Sequence, residues 1–104
     1  MSANLPDPAA RHRSAIVSEL DQAMEAVLQA RPGPAQEVVA MELHTAFLRA
    51  AEGPLAASAR ITGGGRSVGF CEAEVRNAAG QVVATAMGTY RIRPKATVGE
   101  SPCT

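Results

Sequence analysis

The sequence predicts an α+β domain: one long helix packed on an antiparallel sheet of about four strands. Three observations carry this. Apolar residues recur at helical spacing in "HRSAIVSELDQAMEAVLQARPG" (12–33), the period falls to two in four separate runs beyond Pro34, and the short Gly-bearing connectors "AAEG", "GGG" and "AAG" divide those runs. The domain spans 12–93. Residues 1–11 read as an irregular lead-in, and 94–104, with two prolines and no pattern, as a loose C-terminal tail.

On a wheel of about 100° per residue, Ile16, Val17, Leu20, Ala23, Met24, Val27 and Leu28 fill one broad arc. Ser18, Glu19, Gln22, Glu25 and Gln29 take the opposite side. The helix is expected to start near Ser14, to carry the Arg31 cation in its last turn, and to stop at Pro32-Gly33-Pro34. Asp21 breaks the pattern by standing at the margin of the apolar arc, just outside Val17 and Leu28.

Four alternating runs follow. "EVVAMELHTAFLR" (37–49) puts Val39, Met41, Leu43, Thr45 and Phe47 on one face, and "PLAASARIT" (54–62) does so with Leu55, Ala57, Ala59 and Ile61. "RSVGFCEAEVRN" (66–77) sets Cys71, Ala73 and Val75 against Glu72, Glu74 and Arg76. Its upstream Val68 and Phe70 fall on the other face, which predicts a bulge or burial on both sides. "QVVATAMGTYRIR" (81–93) offers Val82, Ala84, Ala86, Gly88, Tyr90 and Ile92, where a row of small residues lets a helix or a second backbone approach closely. Short connectors suggest an antiparallel meander. One helix leaves the far sheet face and two edges uncovered, which argues for a dimer.

Composition narrows the classes. The chain has 104 residues, 46% of them hydrophobic, enough for a single core, but with one Tyr, two Phe and no Trp that core is aliphatic. Ten basic residues balance ten acidic ones, so no general polyanion or nucleic-acid binder is indicated. Cys71 and Cys103 form no CxxC or metal spacing and fit reduced thiols in a cytoplasm. No run is long and apolar enough to span a membrane, no signal core opens the chain, and no cofactor or metal is called for.

Few residues remain to carry chemistry. Asp21 fits either the end of an S-x-x-D capping box begun by Ser18, or a functional carboxylate aimed at a site. "TGGGRS" (62–67) reads as a hairpin turn, or as a turn that also offers Gly65 and Arg66 to a phosphate; it is no phosphate loop, since it lacks GK[ST] and precedes a strand. His12 stands just before the helix, His44 on a polar strand face, and Cys71 reads as a small buried hydrophobe. No Ser-His-Asp or Cys-His arrangement is visible.

The order "HRSAIVSELDQAM", "ELHTAFLR", "GPL" and "GRSVGFCEAEVRNAAGQVVATAMGTYRI" resembles the hotdog-fold acyl-CoA thioesterases of the phenylacetic-acid-pathway (PaaI-like) type, over about residues 12–93. The fold it implies has a curved sheet around the helix, assembled as a homodimer or homotetramer with sites between subunits. The family's active-site segment, approximately H-G-G-x-x-x-x-L-x-D-x-A-M, sets its His on His12 and its acid on Asp21. Arg13 and Ser14 replace the two glycines, and the strand that usually precedes the helix has no counterpart in 1–11. The resemblance implies that Asp21 acts as general base or nucleophile, that the Arg13 peptide N–H holds the thioester oxygen, and that Arg49, Gly65 and Arg66 contact the CoA phosphates or pantetheine. It implies acyl-CoA as substrate, with a non-catalytic hotdog dimer that binds acyl-CoA or a protein partner as the alternative.

Overall fold

A computed structural model describes residues 8–95, with side chains from His12 onward. One helix, α1 (Pro8–Gln29), is followed by four strands, β1 (Gln36–Phe47), β2 (Leu55–Gly64), β3 (Val68–Asn77) and β4 (Val82–Pro94). They form one antiparallel sheet in the order β1-β4-β3-β2. The α+β class with one helix on a four-stranded sheet stands.

Strand order corrects the meander. β2, β3 and β4 are sequential hairpins, but β1 pairs with β4 on the opposite edge from β2. The segment 48–54 is therefore a crossover, anchored where the Leu48 N–H donates to the Val83 carbonyl at 2.8 Å. Periodicity fixes which residues share a face but says nothing of which strands are neighbours.

The helix also begins earlier than Ser14. A proline suits the first turn, where its missing N–H would have no helical partner, so Pro8 opens α1 and four residues of the supposed lead-in are helical. Ile16, Leu20, Met24 and Leu28 are buried, with Val17, Ala23 and Val27 half-buried beside them, as the wheel requires. The stripe covers Cys71, Ala73 and Val75 of β3 and Ala84, Ala86, Tyr90 and Ile92 of β4. The expected small-residue row lies under it. A methyl on Gly88 would come within 2.7 Å of the Tyr90 ring and 3.1 Å of Met24, and one on Gly69 within 2.7 Å of Leu28.

Three bulges reset the alternation. In β1 Met41 is the extra residue, so Val38 and Leu43 face the core while Val39 and Met41 are exposed, against the single row expected. Thr62 in β2 and Val83 in β4 are the other two. β3 itself runs without a bulge from Val68 to Val75, and Phe70 stands 45% exposed on the far face. At the β3–β4 turn the Asn77 side-chain oxygen accepts from the Ala79 and Gln81 N–H groups, and Gly80 takes φ +82°. Cys103 and the tail beyond Lys95 lie outside the described residues.

Candidate functional site

Asp21 sits at mid-helix on the side that meets the sheet, half-buried, and its partner comes from β4. The Tyr90 hydroxyl donates to Asp21 Oδ1 at 2.7 Å and lies 3.4 Å from the Asp21 carbonyl oxygen. Tyr90 is fully buried, and its ring leans back along the strand over Gly88, which has no side chain to obstruct it. Burial, then the Asp21 hydrogen bond and charge, push the phenol well above its ordinary range, so the hydroxyl keeps its proton and donates at every working pH. Glu25 follows one turn along α1, its carboxyl beside that of Asp21. Burial first, then the neighbouring Asp21 carboxylate, raise its carboxyl above the ordinary value.

The capping reading of Asp21 does not fit this geometry. Asp21 lies well inside α1, and its carboxylate is turned to Tyr90 instead of to a first-turn N–H.

The other residues singled out from sequence do not join it within one chain. His12 and Arg13 are exposed members of the same helix. Nine residues of α-helix separate His12 from Asp21 by about 13 Å and about half a turn, which sets them on opposite sides. Arg13 lies in the second turn, where an N–H bonds to the carbonyl four residues back and does not stand free at a helix terminus. Arg49 donates from Nε to the Val82 carbonyl at 3.0 Å, at one end of β4. Gly65 and Arg66 lie in the β2–β3 turn at the other end, where the Ser67 carbonyl accepts from the Ile92 N–H. From Val82 to Ile92 is roughly 33 Å of strand, so Arg49 and Arg66 of one chain cannot hold one phosphate group. His44 is exposed, 3.6 Å from Glu42. Cys71 is buried with its thiol against the Met24 carbonyl, and burial raises it above the ordinary thiol range, which fits a packing role.

Sequence reasoning missed Tyr90 and Glu25. One signal was available for each. Tyr90 is the chain's single tyrosine and falls in an apolar row, where its hydroxyl requires a partner, and Glu25 follows Asp21 at i+4.

A hollow of about 520 Å³ is open and lies mainly over the far sheet face, lined by His44, Ser58, Arg60, Glu72, Glu74 and Met87. Arg60 and Glu72 are paired to each other there. The sheet separates this hollow from Asp21, so volume and chemistry point to different faces, and the carboxylate cluster is the better candidate. Among the described residues no group of three or more His, Cys, Asp or Glu side chains is placed to hold a metal ion.

Comparison with known proteins fits the helix-on-sheet architecture. The model of the thioesterase superfamily matches residues 12–84, and the chain belongs to that family. Solved structures that it resembles include the BH2602 protein of Bacillus halodurans, determined with CoA (25% identity, TM-score 0.73, 77% of this chain and 57% of that one). Two others are the smu.793 protein of Streptococcus mutans bound to acetyl CoA (19% identity, TM-score 0.67, 91% and 80%) and the thioesterase HI1161 of Haemophilus influenzae (15% identity, TM-score 0.68, 92% and 68%). The latter two likenesses are of fold. The chain thus spans little more than half the length of the Bacillus protein. No curated protein matches it. No helix among the described residues is long and apolar enough to cross a membrane.

Proposed function

We propose that this chain hydrolyses an acyl-CoA thioester to the free acid and CoA, with Asp21 as general base or nucleophile. The observation that carries this is a half-buried, helix-borne carboxylate with one oxygen held at 2.7 Å by Tyr90, in a chain of the thioesterase superfamily. CoA in the Bacillus relative supports a CoA ester as the substrate class. In the general-base route Asp21 takes a proton from water as the water oxygen bonds to the thioester carbon; the tetrahedral oxyanion then collapses, the C–S bond breaks, and CoA leaves as thiolate. A peptide N–H would hold the oxyanion. The PaaI-like reading assigns that to Arg13 of a second subunit, with His12 beside it, and it requires the helix to open upstream of Ser14 so that this N–H is free. The same reading makes the protein a cytoplasmic homodimer or homotetramer with shared sites. Arg49, Gly65 and Arg66 contact CoA from different subunits in such an assembly, since one chain separates them.

Purified protein with a panel of acyl-CoAs, followed by free-thiol release, tests the proposal. Asp21→Asn is expected to lower turnover by at least about 10²-fold, the scale of a lost general base. Equal turnover by the variant removes Asp21 from the mechanism. The second reading, a dimer that binds acyl-CoA or a protein partner without hydrolysis, draws on Arg13 and Ser14 standing where family glycines are expected. Binding of CoA esters without turnover by the wild type would establish it.

A further inference from the structure

We infer that Tyr90 is a positioning residue for Asp21: its buried hydroxyl fixes the carboxylate in one orientation and leaves the second oxygen for water or the thioester. The inference rests on the thioesterase reading and deepens it. A helix-surface aspartate turns freely about its last torsion, whose energy profile is broad and two-fold. Here a fully buried donor on a different element selects one setting, with the hydroxyl 2.7 Å from Oδ1. The donor itself is held rigidly. Its ring is packed into the space over Gly88, where a methyl would lie 2.7 Å from the ring edge, with Met24 and Leu43 closing the same space. A carboxylate accepts at about four lone-pair positions, so the bond from Tyr90 leaves acceptor capacity for a reacting group. Displacements of about 1 Å at a reacting centre cost about a hundredfold in rate, which is why a fixed carboxylate matters.

A purely structural role, tying α1 to β4, makes a different prediction. Tyr90→Phe would then lower stability and leave the chemistry of folded molecules alone. The chain supplies its own reporter, since Tyr90 is the single tyrosine and there is no tryptophan. Phenol emission is quenched by a hydrogen bond to a carboxylate, so the tyrosine emission of the intact protein reads the Tyr90–Asp21 contact without reference to activity.

The test combines both readouts on wild type, Tyr90→Phe, Asp21→Asn and the double variant. Asp21→Asn is expected to raise tyrosine emission while the circular dichroism stays native. Tyr90→Phe is expected to lower kcat about tenfold or more with KM within about twofold, an effect confined to the transition state. The double variant should be no slower than Asp21→Asn alone, because Tyr90 acts through that carboxylate. Wild-type kcat in folded Tyr90→Phe, or losses that multiply in the double variant, would overturn the positioning role. Unchanged emission both in Asp21→Asn and in Asp21→Ala, which has no side-chain acceptor, would remove the contact itself, whatever the activities. A wild type without turnover defeats the thioesterase reading and the positioning role with it, and the emission change then marks the bond as a helix-to-sheet tie.

Discussion

Asp21, Glu25 and Tyr90 put two carboxyl groups and a phenol at one point of the helix–sheet junction, and the two carboxylate charges oppose each other. Glu25 titrates above its ordinary value chiefly because burial disfavours its charge, with Asp21 adding repulsion. Since its folded-state value exceeds the unfolded one, the stabilising contribution of the neutral form is complete below the unfolded value and is lost as pH rises through the folded one. Glu25→Gln is therefore expected to stabilise the protein at neutral pH by about 0.2–0.5 kcal/mol, the scale of a like-charge i,i+4 pair, with the difference vanishing in acid. Urea midpoints across that pH range check the sign, and a variant less stable at neutral pH would contradict it. At this scale the sequence was legible in part. The wheel singled out Asp21 by its margin position, whereas Tyr90 could not be linked to it, because the contact joins positions 21 and 90 only once β4 has passed beneath α1.

The helix and its strands fit through missing side chains as much as through large ones. Leu28 descends onto Gly69, and a methyl there would meet its Cδ2 at 2.7 Å and Ile92 Cδ1 at 3.1 Å. Gly69→Ala overpacks this contact and is expected to cost about 1–3 kcal/mol. Leu28→Ala opens a cavity at about 2–5 kcal/mol, and the double variant should lose less than the sum, with a coupling of about 0.5–3 kcal/mol. Denaturant unfolding of the four proteins measures it, and strict additivity would show that the two sites do not share space. Element types and most of their extents were readable, since the apolar stripe of α1, the row Cys71, Ala73 and Val75 of β3 and the row from Ala84 to Ile92 of β4 recur in the burial. The helix start was not, because the Pro- and Ala-rich opening mimics irregular chain. Nor were the faces of β1, where a single inserted residue, Met41, exchanges core and surface.

At the scale of the molecule, among the described residues, one face of the sheet is covered by α1 and the other face and both edge strands are bare. Phe70 and Met87, 45% and 58% exposed, stand on the bare face, and β1 and β2 present open edges. Sedimentation equilibrium is expected to return at least twice the 10.7 kDa of one chain, and a monomer at every concentration would exclude sites shared between subunits. Strand order was the part of the fold that sequence could not convey. Short connectors favour neighbours, yet β1 crosses to pair Gln36 with Pro94 and Phe47 with Ala84. That crossing sets a folding order. β2, β3 and β4 close through short turns and can form early, whereas β1 must wait for a finished β4, because long-range pairing is slowed by loop-closure entropy. Pulse-labelling hydrogen exchange during refolding should therefore find the amides of Cys71, Ala73 and Val75 protected before those of Val38 and Leu43, so that the strand made first on the page of the chain after the helix is the last to lock into the sheet.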